Sequence, residues 1–257
     1  MLTFAPHIPE TVPFDRQHII RLDEVDSTNN YAAKLFNASN PPEGTAILAR
    51  HQSQGRGQRG SHWESEPGQN LVASFILYPQ FLGAADQFHL SRCISLAASD
   101  TIRLASGLQA HIKWPNDLLV NRFKVAGILI EINWAGQQLQ SAVVGIGINL
   151  NQRNFIAPNA SSLGAITGEA YVIEEVFDTL FHSVERWYDR LRAEGPQVVC
   201  IEYTRRMHAL NEPATYSTGA NEFRAILRGT DTNGRLQLEM ETGELEFYTT
   251  HQVRLKY

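Results

Sequence analysis

Apolar positions along this chain change period several times, and each change marks an element. HIIRLDEV, residues 18–25, alternates as a strand does. Ser27 or Thr28 then caps a helix running to about Phe36, with Tyr31, Ala32, Leu35 and Phe36 on one face. PPEG at 41–44 is turn chemistry, and TAILAR at 45–50 reads as a buried strand. NLVASFILY at 70–78 is a further strand. From Asp86 to about Ser106 the period becomes helical and buries Leu90, Ile94, Ala97, Ala98 and Ile102. Strands return at 110–113, 117–121 and 123–133, joined by tight turns, and AGQQ leads into another at 138–148. Two helices follow, one over 172–194 with Val176, Leu180, Val184, Trp187 and Leu191 in step, and one over 197–207.

Strands that succeed one another through short turns predict an α+β fold: a mixed, largely antiparallel sheet with helices packed on one side. After Asn211 the texture changes to short β runs separated by STGANE, DTNG and ETGE. That segment, roughly 45 residues, reads as a small β-barrel or sandwich that is too small to be very stable alone. The expected division is 1–210 and 211–257. Residues 1–16, with three prolines, read as an irregular lead-in.

Composition adds exclusions. With 257 residues, 43% of them hydrophobic, the chain can bury one sizeable core and a small second one. A net charge of −5 argues against a general nucleic-acid binder, so no DNA partner is expected. Cys93 and Cys200 frame no disulfide pattern and sit in apolar helical stretches, where buried thiols are expected. The nine histidines show no paired ligand spacing. No apolar run reaches membrane-spanning length, and no signal pattern opens the chain, so a cytoplasmic protein without a membrane partner is expected.

Two segments carry most of the chemistry. GRGQRGSHW, 55–63, is a basic loop punctuated by Gly55, Gly57 and Gly60, which let main-chain N–H groups approach a ligand. Arg56 and Arg59 suit phosphate or carboxylate oxygens. A lone Gly/Arg loop is more often a solvated surface loop. KWPND, 113–117, is a proline-stiffened turn with Asn116 and Asp117, and Lys124 opens an apolar strand that the hairpin brings back beside it. GIGIN, 145–149, ends a strand with two glycines and Asn149: either a bulge or the close approach of a ligand. Neither a dinucleotide fingerprint nor a Walker A loop is present.

In order along the chain, DSTN, the GRG-x-x-G-x-x-W loop, NL-x-x-S, KWPND, K-x-x-GIL-x-E and G-x-G-x-N resemble the bacterial biotin–protein ligases. The likeness covers most of the length, and the ordered series is more specific than any one motif. It implies a class II synthetase-like catalytic fold followed by an SH3-like C-terminal barrel. It also implies two steps: biotin and ATP, with Mg²⁺, give biotinyl-5′-AMP, and a lysine of a biotin carboxyl carrier domain then takes the biotinyl group. By motif position, Ser27, Thr28, Asn29, Gln52, Arg56, Gly57, Gln58 and Lys124 would contact biotin and its activated carboxyl. Arg56, Trp63, Asn116, Lys124 and Asn149 would serve the nucleotide. Lys124, Arg56 and Asp117 would be catalytic, with Asp117 positioning or deprotonating the incoming amine.

Gln58 stands where many members have a second arginine, and Ser61 where a basic residue is common. Only about 25 residues precede DSTN, too few for the winged helix-turn-helix some members carry, so a monofunctional ligase is expected. A sheet-edge homodimer stays open. So do a ligase for lipoate or octanoate and a non-catalytic sensor, although Lys124 with Asp117 argues against the sensor.

Overall fold

The computed structural model describes residues 14–136, 138–219 and 221–256, apart from the side chain of Arg59. The expected lead-in lies, up to residue 13, outside the described residues. The main sheet has seven strands: β1 (Ile19–Val25), β2 (Ala46–Gln52), β3 (Asn70–Leu77), β4 (His111–Lys113), β5 (Asp117–Val120), β6 (Phe123–Ala135) and β7 (Gln138–Asn149). Their order is β1-β2-β3-β7-β6-β5-β4. Only β1 and β2 run parallel. Parallel neighbours need a crossover, and α1 (Thr28–Ser39) supplies it. Ser27 is its N-cap by backbone position, but its hydroxyl makes no capping bond.

The pleat sorts the sheet's two faces. Leu71, Ala73, Phe75 and Leu77 of β3 and Val144, Ile146 and Ile148 of β7 join the main core. That core is closed by α2 (Gln87–Ser106), α4 (Ile173–Glu194) and α5 (Pro196–Arg205). Ile47, Ile76 and Val143 point the other way, onto Ala32 of α1. The expectation of helices on one side is therefore corrected. The apolar stripe of α1 needs a sheet to cover, and α2 and α4 already occupy the first face. A one-turn helix, α3 (Leu163–Thr167), was not expected. Five residues are too few to show a period; its N-cap is the Ser162 hydroxyl, which accepts from the Ala165 N–H at 3.1 Å.

A second, antiparallel sheet holds β8 (Pro213–Ser217), β9 (Glu222–Thr230), β10 (Leu236–Met240), β11 (Leu245–Tyr248) and β12 (Arg254–Leu255), in the order β11-β10-β9-β8-β12. It is the small SH3-like unit expected at this end of the chain. Its β9–β10 turn is clasped by the first unit. Arg92, 1% exposed, donates to the Thr230 hydroxyl and to the carbonyls of Asp231 and Thr232. Trp114 Nε1 donates to the Gly234 carbonyl at 2.8 Å. Cys93 is buried as expected, whereas Cys200 is only half-buried, 3.5 Å from His89 Nδ1. Among the described residues no helix is long and apolar enough to cross a membrane.

Candidate active site

The face that α1 covers only in part is opened further by glycines. Gly127 of β6 and Gly145 and Gly147 of β7 all point to that side. A Cβ on Gly145 would lie 2.3 Å from Asn29 Oδ1, and one on Gly147 would lie 2.4 Å from the Trp63 indole. The GIGIN glycines therefore serve close approach. The cavity they floor measures about 220 Å³.

One end of the cavity is a buried polar network. Thr28 donates its N–H to Gln52 Oε1 at 2.7 Å, and its hydroxyl oxygen lies 3.0 Å from the same atom. Ser74 Oγ lies 2.7 Å from Thr28 Oγ1 and 2.6 Å from Asn29 Oδ1. Ser27, Thr28 and Asn29 are each at most 3% exposed, because the start of α1 is pressed against β2 and β3. Thr28, Asn29, Gln52 and Ser74 thus hold one another in place, so the end is preorganised for a ligand with complementary donors and acceptors.

The other end is ionic. Lys124 Nζ lies 2.6 Å from Asp117 Oδ1. The β5–β6 hairpin makes this pair. Asn116 fixes the hairpin by donating Nδ2 to the Ile128 carbonyl at 2.8 Å and accepting from the Ile128 N–H at 3.0 Å. Lys124 also sits 5.6 Å from the centre of the Trp63 ring. Trp63 Nε1 is buried without a hydrogen-bond partner, a donor in want of an acceptor.

The basic loop folds back on itself. Gly57 N–H donates to the Ser61 carbonyl at 2.7 Å, and Trp63 N–H to the Gly55 carbonyl at 2.9 Å. This puts Arg56, Gly57, Gln58 and Trp63 around the cavity. The Arg56 fork is held by Glu131, with Nη2 to Oε1 at 2.6 Å and Nη1 to Oε2 at 3.1 Å. Gln58, Asn116 and Asp117 also line a second, more apolar cavity of about 260 Å³ against β12 and the second sheet. Lys113 lines it too, and burial pushes its ammonium below the usual lysine value, more than Asp117 raises it. Asn149 is not brought to the first cavity: it is 3% exposed and gives Nδ2 to the Ser161 carbonyl at 3.0 Å. The Arg59 side chain lies outside what is described.

Residues 22–149 match the biotin/lipoate A/B protein ligase family. The biotin–[acetyl-CoA-carboxylase] ligase of Paracoccus denitrificans is 37% identical over 86% of this chain and 94% of its own length. The chain belongs to the biotin/lipoate A/B protein ligase family. A bifunctional ligase/repressor of Bacillus subtilis is 31% identical over 91% of this chain and 73% of its own. The biotin protein ligase of Aquifex aeolicus, solved with biotin and ATP, superposes with a TM-score of 0.77 at 26% identity, covering 93% of this chain and 98% of that one.

Within this family fold, sequence reasoning passed over three residues that the geometry brings to the site: Ser74, Glu131 and Lys113. All three lay inside quoted motifs, Lys113 as the first residue of KWPND, but in a strand pattern a serine, a carboxylate or a lysine has no signal of its own. Only the pleat shows that Ser74 and Glu131 face the cavity side. The floor itself can be tested. Gly147→Ala is expected to push the Trp63 indole off β7 and shift tryptophan emission to the red, a change absent when Trp63→Phe is already in place. Unchanged emission would show that the ring does not rest there.

Proposed function

We propose that this cavity activates biotin with ATP as biotinyl-5′-AMP and passes the biotinyl group to a lysine of a biotin carboxyl carrier domain. One observation carries the reading: a preorganised polar network and a lysine–aspartate pair lie at opposite ends of a single cavity. A carboxylic acid with a polar ring fits that layout. Its ring reaches Thr28, Asn29 and Gln52, and its carboxylate reaches Lys124.

In the first step a carboxylate oxygen attacks the α-phosphorus of ATP, the bond to the β-phosphate oxygen breaks, and pyrophosphate leaves. Lys124 and Arg56 supply positive charge to the anions gathered there. Arg56 does so after leaving Glu131. In the second step an acceptor amine attacks the anhydride carbonyl, the carbon–oxygen bond to AMP breaks, and the nitrogen gives up a proton. Asp117 is placed to orient or accept it. Gln58 and the loop cover the anhydride, and Trp63 walls it from below. Mg²⁺ neutralises polyphosphate charge when bound. Among the described residues no group of three His, Cys, Asp or Glu forms a metal cage, and Asp117 is already engaged by Lys124. The ion would then enter held mainly by phosphate and water. Residues 1–210 form the catalytic unit and 211–257 the closing one, and an ATP-fed reaction of this kind belongs in the cytoplasm.

The test is pyrophosphate exchange into ATP driven by biotin, lipoate or octanoate in parallel assays. Biotin is expected to drive exchange far better than the other two. Exchange driven only by lipoate or octanoate would move the protein to another branch of its family.

A further inference from the structure

The Arg56 guanidinium and the Asn29 amide meet at one carboxylate. Glu131 Oε2 accepts from Asn29 Nδ2 at 2.8 Å and from Arg56 Nη1 at 3.1 Å, while Oε1 accepts from Arg56 Nη2 at 2.6 Å. Glu131 lies on the same face of β6 as Gly127 and Leu129, four and two residues beyond them, and pairs with Val143 of β7. It stands just past the polar end of the cavity, behind Asn29. Arg56 is steadied from a third side by Asn30 Oδ1 at 2.8 Å.

This contact dictates which atom Asn29 offers. A carboxylate and a carbonyl only accept hydrogen bonds. Asn29 Nδ2 faces two such groups, Glu131 Oε2 and the Leu129 carbonyl at 3.4 Å. The amide oxygen must therefore point the other way. It accepts from Ser74 and lies over Gly145, where a side chain would collide with it. An amide oxygen has two lone pairs, and Ser74 uses one. The other is left for an N–H of the ligand. Without Glu131 the amide could turn over and present its amine, which would repel such a donor.

We propose that Glu131 is a positioning residue that sets the polarity read at the ring end of the cavity: it locks Asn29 as an acceptor and parks Arg56 across the mouth. This deepens the reading of the cavity as a biotin site and rests on it. A ureido ring carries N–H donors that satisfy the acceptor. A dithiolane or alkyl tail carries none and leaves it buried and unpaired. Glu131 thus favours an N–H-bearing ring over an apolar acid, although it touches neither.

Three proteins decide the matter in pyrophosphate exchange: the native chain, Glu131→Ala and Glu131→Gln. Glutamine keeps an oxygen for Asn29 but loses the charge opposite Arg56. Glu131→Ala is expected to raise the KM for biotin by about tenfold, the effect of one mispaired buried hydrogen bond, while kcat changes by less than about threefold. The biotin-to-octanoate preference should shrink by a similar factor. Glu131→Gln should restore the KM to within about threefold of native, since its oxygen can still hold the amide. Equal KM rises in both variants, a fall in kcat alone, or an unchanged preference would overturn the proposal. So would native KM in Glu131→Ala. Thermal melting of each variant separates unfolding from a kinetic effect; if Glu131→Ala does not fold, Glu131→Met, which keeps the length but offers Asn29 no oxygen, is expected to show the same KM rise. A native KM in folded Glu131→Met would overturn the proposal. Failure of the native chain to use biotin would instead refute the biotin reading itself.

Discussion

Lys124→Ala is expected to lose biotin-driven pyrophosphate exchange by about 10²–10³-fold, equivalent to about 3–4 kcal/mol of transition-state stabilisation. Two effects combine. The variant removes the cation at the end of the cavity where carboxylate and α-phosphate must meet. It also strips Asp117 of the partner 2.6 Å away, leaving its carboxylate less neutralised toward incoming anions. The second effect makes a distinct prediction: Lys124→Ala combined with Asp117→Asn should recover about tenfold of the loss, because the repulsion is gone while the missing attraction is not. Biotin affinity measured by calorimetry should fall by a smaller factor than the exchange rate, since the ring end, built from α1, β2 and β3, is untouched. Native exchange rates in Lys124→Ala would remove Lys124 from the first step.

Much of this was legible in the sequence because it depended on local pattern. The β6–β7 hairpin follows from two long apolar runs around a short polar turn, and the KWPND hairpin from a proline turn with an asparagine that brackets it. That hairpin brings Lys124 back beside Asp117, and the pair lies 2.6 Å apart. What escaped depended on which way a strand residue points relative to distant elements. Glu131 looks like the polar end of an apolar run; its meaning comes from Arg56, 75 residues away in sequence. α1 crosses the opposite face because α2 and α4, much later in the chain, claim the first. Asn149 shows the reverse: a polar residue after two cavity-floor glycines, which nonetheless turns its amide to the Ser161 carbonyl. Pleat alone put it on the cavity face, but a neighbouring segment claimed it first.

The fold that holds this site has one ionic hinge of its own, and removing it should be costly. Asp100 of α2 accepts from Arg186 Nη2 at 2.5 Å, Trp187 Nε1 at 2.8 Å and Arg206 Nη1 at 2.8 Å. It therefore ties α2 to α4 and to the residue that ends α5. The Arg206 carbonyl in turn accepts from Ile112 in β4, the strand that leads into the KWPND turn. The carboxylate is 5% exposed, so its partners cannot simply be replaced by water. Asp100→Asn keeps the shape but leaves Arg206 facing a neutral amide, and is expected to cost about 3 kcal/mol, the low end for breaking a buried pair, because Arg186 can turn to solvent. That corresponds to a fall of about 6–12 °C in Tm.

The pH dependence of that loss separates charge from packing. Burial alone would raise the Asp100 carboxyl, but the Trp187 hydrogen bond and the charges of Arg206 and Arg186 outweigh it and hold it below the usual range. A carboxyl whose folded value is depressed contributes its stability above its unfolded value, about 3.9. That contribution is lost as the pH falls through the folded value. The stability gap between native and Asp100→Asn proteins, measured by denaturant melts, should therefore be full at neutral pH and close progressively below about pH 4. A gap that stays constant into acid would mean that Asp100 acts by shape and hydrogen bonding alone, with no part played by its charge.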